Sequence, residues 1–197
     1  MSIARLRDLL ADARRGGWCL GYFEAWDQYS LEACLAAAEA ERSPAIVGFG
    51  GAVADQGWMD HRGVEVLATL ARRLAEMATV PAAVLFNEGR TVGQVERALA
   101  CGCNAVMLDS SHMSFADNVA ATRRVVALAG THGADVEAEL GLARPRGLLL
   151  VRLQGGGEQV VPLVGRRREA LQRVDRVLVL DVLLEGDLRG GEGLLAV

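Results

Sequence analysis

The chain has 197 residues, enough for one domain with a substantial core and fewer than the roughly 250 of a complete eight-unit βα barrel. Apolar residues make up 51 % and aromatics only 5 %, a balance that suits small side chains packing helices onto a buried parallel sheet. The net charge of -4 offers no electrostatic footprint for nucleic acid, and all 21 basic residues are arginine. Without lysine the chain cannot form a Schiff base with a ketose, hold pyridoxal phosphate in the usual way, or build a Walker A loop.

In chain order, Ile3, Leu6, Leu9, Leu10 and Ala13 recur on one face between Arg and Asp residues, which predicts an amphipathic opening helix and not a signal peptide. No window of about eighteen apolar residues is present to span a membrane. A cytoplasmic protein is therefore expected, with no membrane and no nucleic acid among its partners. Short β-rich runs are predicted at Cys19 to Glu24, Ala45 to Phe49, Ala82 to Phe86, Ala105 to Leu108 and Asp135 to Leu140. Helical patterns separate them at Ser30 to Arg42, Val64 to Met77, Thr91 to Ala100 and Phe115 to Gly130. Strand-helix alternation implies βαβ units and a parallel sheet with strands adjacent in sequence order. Ser30, Thr91 and Ser114 are the predicted helix caps, and Gly102, Gly130 and Gly133 the helix stops.

Residues 142–197 differ in texture. Strands are predicted at Leu148 to Leu153, Val160 to Leu163 and Val177 to Leu184, and a helix at Arg166 to Arg173, with intervals too short for full βα units. The glycine runs at 155–157 and 190–191 read as turns or as a phosphate nest. Cys19, Cys34, Cys101 and Cys103 lie in apolar or Ala-rich surroundings and are expected to be buried free thiols, the Cys101-Gly-Cys103 spacing being one short of Cys-x-x-Cys.

Two strand ends carry the chemistry. Val106-Met-Leu-Asp109-Ser110-Ser-His112 and Val136-Glu-Ala-Glu139-Leu-Gly141 are apolar runs that finish in acidic and small polar residues, as at the C-terminal mouth of a parallel barrel. Both resemble the class II, metal-dependent ketose-bisphosphate aldolases, whose fourth and fifth strands read roughly Val-Met-Ile-Asp-Gly-Ser-His and Val-Glu-Ala-Glu-Leu-Gly. The order helix, Gly21-Tyr-Phe-Glu24, helix, Ser43-Pro-Ala-Ile-Val-Gly-Phe49 extends the resemblance over about residues 3–141.

The resemblance implies an α/β fold: a partial TIM-type (β/α)8 barrel with parallel strands, its first five βα units in residues 1–141 and a shortened irregular C-terminal part in 142–197. It implies an aldehyde-lyase that cleaves or forms a C–C bond in a ketose phosphate, a small phosphorylated sugar, or else a degenerate, truncated and non-catalytic relative. Where the family's third strand ends Leu-Asp-His-Gly, this chain has Phe86-Asn87-Glu88-Gly89, so the proton-transfer acid has become Asn87 and the zinc-ligand histidine Glu88. Glu88 and Asp109 are the expected catalytic residues, Glu24, Asn87 and Ser110 the expected substrate contacts. Glu88, Glu139 and Asp181 are the expected metal ligands, Asp181 standing where the family has a histidine. The family metal is zinc, whereas an all-oxygen set suits Mg²⁺ or Mn²⁺ better. Pairing of these carboxylates with Arg90 or Arg144 is the competing reading. The family's His-Gly-Gly-Ser-Gly phosphate loop has no counterpart here. An open sheet edge, left by an incomplete barrel, predicts a homo-oligomer.

Overall fold

A computed structural model describes residues 2–51, 54–139 and 177–179. Helix α1 (Leu6–Gly16) precedes strand β1 (Tyr22–Glu24), helix α2 (Gln28–Ala40) and strand β2 (Ala45–Gly50). A continuous helical run follows, made of α3 (Gln56–Trp58), a π-helical turn (Met59–Gly63) and α4 (Val64–Met77). Then come β3 (Ala82–Gly89), α5 (Val92–Ala100), β4 (Ala105–Leu108), α6 (Phe115–Thr131), β5 (Asp135–Ala138) and β6 (Val177–Val179). All six strands are parallel and lie in sequence order in one sheet. That is the order of consecutive βα units in a barrel of this class.

Alternation along the strands divides the sheet into two faces. Ala45, Val47 and Phe49 of β2, Ala82, Val84 and Phe86 of β3, Val106 and Leu108 of β4, and Val136 of β5 belong to one core cluster with residues of α2, α4, α5 and α6. Phe49 and Phe86 meet there with ring centroids 5.0 Å apart. The intervening residues Ile46, Ala83, Leu85 and Ala105 belong to a second cluster with Leu6, Leu9, Leu10 and Ala13 of α1. The opening helix therefore packs against the inner face at the N-terminal ends of the strands.

Polar ties fix that floor. Ile3 bridges to Ala82, and Asn104 donates its Nδ2 to the Ala4 carbonyl at 2.7 Å while its Oδ1 accepts the Val84 N–H at 2.7 Å. Asp135, 2 % exposed at the start of β5, accepts the Arg7 N–H at 3.0 Å and pairs with the Arg7 guanidinium.

Several sequence expectations need correction. Strand β1 starts at Tyr22 and not Cys19, and Cys19 is exposed. Helix α2 is capped by Asp27, whose Oδ1 accepts the Ser30 N–H at 2.8 Å; the Ser30 hydroxyl closes the box by accepting from the Asp27 N–H at 3.1 Å. Ser30 is thus the third helical residue. Gly130 lies inside α6, and Gly133, with φ 66, makes the turn that follows. Thr91 and Ser114 cap α5 and α6 as expected. Of the C-terminal elements expected, β6 falls within Val177 to Leu184, and those at 148–153, 160–163 and 166–173 lie outside the described residues.

Candidate active site

The C-terminal ends of the strands bring the expected carboxylates to one rim. Glu24 ends β1, Glu88 is the penultimate residue of β3, Asp109 follows β4 and Glu139 follows β5. Tyr22 donates its hydroxyl to Glu24 Oε2 at 3.2 Å, and the glycine at position 50 of β2 makes room for that carboxylate: a Cβ there would sit 2.7 Å from Glu24 Oε2. Burial, then the Glu24 and Glu137 carboxylates, raise the Tyr22 phenol, so it stays a donor.

Glu88 sits in a bulge. Phe86 pairs with Val106 and Gly89 with Leu108, so Asn87 and Glu88 together oppose Met107. Glu88 adopts φ 49, a left-handed conformation that costs a non-glycine residue about 1 kcal/mol or more. Hydrogen bonds hold the bulge from both sides: Gly51 N–H donates to the Asn87 carbonyl at 2.8 Å, and Arg90 N–H to Gln94 Oε1 at 2.8 Å. Gln94 is 0 % exposed, and its Nε2 donates to Asp60 Oδ1 at 2.9 Å and to Gln56 Oε1 at 3.1 Å. One buried amide thus ties the turn after Glu88 to the connection after β2. Arg97 supports the same connection through the Met59 carbonyl at 3.0 Å and through Glu65 and Asp60.

Asp109 accepts the Ser111 hydroxyl at 2.7 Å and the Ser111 N–H at 3.2 Å, which fixes its orientation. Asn118 of α6, 4 % exposed, donates to the Ser110 carbonyl at 3.0 Å and the Glu139 carbonyl at 3.1 Å, clamping the β4 loop to the end of β5. Ser110 itself is 2 % exposed.

Electrostatics mark these groups as one site. Burial and the Glu24 and Asp109 carboxylates raise the Glu88 carboxyl, with Arg90 opposing them. Burial raises Glu139, assisted by Asp109 and Glu88 and opposed by a hydrogen bond from Ser111. Glu137, 8 % exposed and two residues before Glu139 on the same face, is pushed up to about 8, chiefly by burial and then by Glu139 and Glu88. The arrangement can hold a proton near neutrality, orient a second carboxylate and accept hydrogen bonds from a ligand.

Asp181 lies outside the described residues, so its metal role has no geometry here. Among the described residues no three of His, Cys, Asp and Glu converge closely enough to hold a metal ion. The described carboxylates do not by themselves fit the family metal. Asp27 is engaged as a helix cap, and His61, His112 and His132 are exposed. No described helix is long and apolar enough to cross a membrane. Glu137, Tyr22, Asn118 and Gln94 were not singled out from the sequence. The alternation that places Glu139 inward also places Glu137, and that was the available clue.

Residues 4–147 match the family model of the class-II fructose-bisphosphate aldolases. The chain is 35 % identical over 143 residues to the probable fructose-bisphosphate aldolase of Bacillus subtilis, covering 72 % of this chain and 49 % of that protein. It is 33 % identical over 143 residues to the 6-phospho-5-dehydro-2-deoxy-D-gluconate aldolase of Halalkalibacterium halodurans, covering 72 % of this chain and 48 % of that one. The crystal structure of the YdjI aldolase from Escherichia coli K12 superposes with a TM-score of 0.63 at 29 % identity, covering 73 % of this chain and 54 % of that chain. The chain spans about half the length of the curated relatives it matches. Parallel strands in sequence order, an acidic C-terminal rim and a match over most of its residues lead to one conclusion: the chain belongs to the class II fructose-bisphosphate aldolase family.

Proposed function

We propose that the chain is an aldehyde-lyase that cleaves or forms a C–C bond in a ketose phosphate, with Glu88 and Asp109 as its catalytic residues. The observation that carries this reading is that Glu24, Glu88, Asp109 and Glu139 leave four different strands of one sheet and Glu88 feels the charge of both Glu24 and Asp109. Aldol cleavage needs a base for the hydroxyl proton at the carbon that becomes the aldehyde, and stabilisation of the enediolate left behind. Asn87, at the position of the family acid, takes no proton at neutral pH. Glu88, raised by burial and its neighbouring carboxylates and held by the bulge, takes the hydroxyl proton, and Asp109, oriented by Ser111, positions the reacting carbons by accepting from a substrate hydroxyl. Glu24, Asn87 and Ser110 are the proposed substrate contacts, Ser110 being the least accessible.

Class II aldolases are generally metal-dependent. The donor set proposed for a divalent ion is Glu139 and Asp181, joined by Glu88 where that residue ligates the ion instead of acting as the base, and Asp181 is outside the described residues. Its oxygen atoms favour Mg²⁺ or Mn²⁺ over the family's zinc, and the ion would supply Lewis-acid polarisation of the ketose carbonyl. Loss of the family acid at position 87 slows turnover by about 10²-fold against an intact site. A coupled cleavage assay with fructose 1-phosphate and fructose 1,6-bisphosphate, run with Mg²⁺, Mn²⁺ and Zn²⁺, tests the proposal. Slow turnover that is lost in Glu88→Gln and Glu139→Gln is expected. No cleavage with any ion overturns it and leaves a relative that keeps the fold without the reaction. The outer edge of β1 has no partner strand among the described residues, which favours a homo-oligomer. A monodisperse monomer at tens of micromolar by light scattering would contradict that. A cytoplasmic location completes the proposal.

A further inference from the structure

The arc of the rim formed by β1, β2 and β3 is rich in hydrogen-bond acceptors and poor in donors. The Glu24 carboxylate, seated over Gly50, receives one hydrogen bond from the described residues, from the Tyr22 hydroxyl. Gly50 pairs with Asn87, whose Oδ1 is buried with no hydrogen-bond partner. Leaving buried polar atoms unpaired is costly, so an arc of this kind is complete only when something brings donors to it.

Charge narrows what that is. A phosphate dianion over Glu24, Glu88 and Asp109 would meet three carboxylates, which Arg90 beside Glu88 offsets only in part. No three of the described carboxylates converge on one point as cation ligands would. Hydroxyl groups satisfy the arc without either difficulty, because each donates one hydrogen bond and carries no charge. Trp26 and Trp58, 41 % and 39 % exposed, lie on the connections after β1 and β2, at the same end of the sheet.

We propose that Glu24, with Asn87 beside it, is a specificity-determining acceptor pair for the hydroxyl groups of an uncharged polyhydroxy end of the substrate. The preferred substrate is then a ketose monophosphate with a neutral tail and not a bisphosphate. This rests on the aldolase reading and deepens it, and its test separates the two.

The first arm compares kcat/KM for fructose 1-phosphate and fructose 1,6-bisphosphate in the wild type, Glu24→Gln and Glu24→Arg. The wild type should prefer the monophosphate by about tenfold or more, as expected for like charges brought together. Glu24→Gln should shrink that ratio about fivefold, mainly through the KM of the bisphosphate, and Glu24→Arg should reverse it. A wild-type preference for the bisphosphate, or a ratio unmoved in both variants, overturns the proposal. The second arm needs no turnover: saturation-transfer NMR of D-fructose with the full chain, in the wild type and Glu24→Ala. Transfer to the sugar that is lost in Glu24→Ala supports the acceptor pair even where neither phosphate is cleaved, the result that defeats the aldolase reading alone. No transfer in the wild type, or equal transfer in both proteins, overturns the pair.

Discussion

The lower and upper layers of the inner face are built by the same strands, two residues apart, and they have opposite character. Below, Ile46, Ala83, Leu85 and Ala105 meet Leu6, Leu9 and Leu10 of α1 in an apolar contact. Above, Leu85 is followed on its face by Asn87, and Glu137 of β5 by Glu139, beside the acidic ends of β1 and β4. The floor gains from burial, whereas the rim concentrates like charges and a strained residue. Apolar packing and titratable groups are separated along the strand axis, an arrangement typical of parallel barrels. Substitutions below should therefore cost stability, and some above should restore it.

The sharpest contrast comes from Leu85→Ala. Leu85 is 1 % exposed between the sheet and α1, so its truncation should lower unfolding free energy by about 3 kcal/mol, seen as a shifted urea midpoint. A loss under about 1 kcal/mol would mean that the floor is not tightly packed.

Glu137 lies between the layers and predicts a pH effect. Its folded carboxyl titrates at about 8 against an ordinary 4.5, so the folded state holds a proton that the unfolded chain releases. Its stability contribution is fully present below about pH 4.5 and is lost as pH rises through about 8. Glu137→Gln should remove that slope, which amounts to something on the order of 2 kcal/mol between pH 5 and 8 once water penetration is allowed for. Equal slopes in the two proteins, measured by denaturation at both pH values, would place Glu137 in contact with water.

Asp135→Asn tests the polar tie of the floor. Losing the charge opposite Arg7, which is 27 % exposed at its side chain, should cost about 1.5 kcal/mol and leave cleavage nearly unchanged. A large loss of activity with little loss of stability would link the floor to the rim directly.

The smallest expected effect has the opposite sign. Glu88→Gly relieves the left-handed conformation at φ 49 and removes a carboxylate from a crowded rim, so it should stabilise the fold by about 1 kcal/mol while abolishing turnover. Destabilisation in that variant would show that Glu88 is held by favourable contacts and not against strain.

Much of the fold was legible because Ala45 to Phe49, Ala82 to Phe86 and Ala105 to Leu108 are apolar runs that can only be buried strands between amphipathic helices. The rim was legible because strand-end acids stand out against such runs. Other features depend on geometry that no local pattern encodes. Asn87 and Glu88 read as two ordinary strand-end residues, yet the register with β4 slips across them and turns Glu88 left-handed. Gln94 falls on α5 among apolar residues, and its value lies in a side chain that reaches Asp60 and Gln56, 34 and 38 residues earlier. Ser30 resembles a helix cap as much as Asp27 does, because each accepts a hydrogen bond from the other's backbone.

The pairing of Arg7 with Asp135 spans 128 residues, and this separation has a kinetic consequence. Helix α1 is synthesised before the strands it packs on, but the carboxylate that anchors it is made with β5, after four strands have followed it. Until then its apolar face has only β2, β3 and β4 to dock on, and a contact of such long range is among the last that a folding chain closes. Substitutions at the Arg7–Asp135 pair should hence accelerate unfolding and leave the folding rate almost untouched, so that a helix made before the strands serves as the latch on a sheet assembled without it.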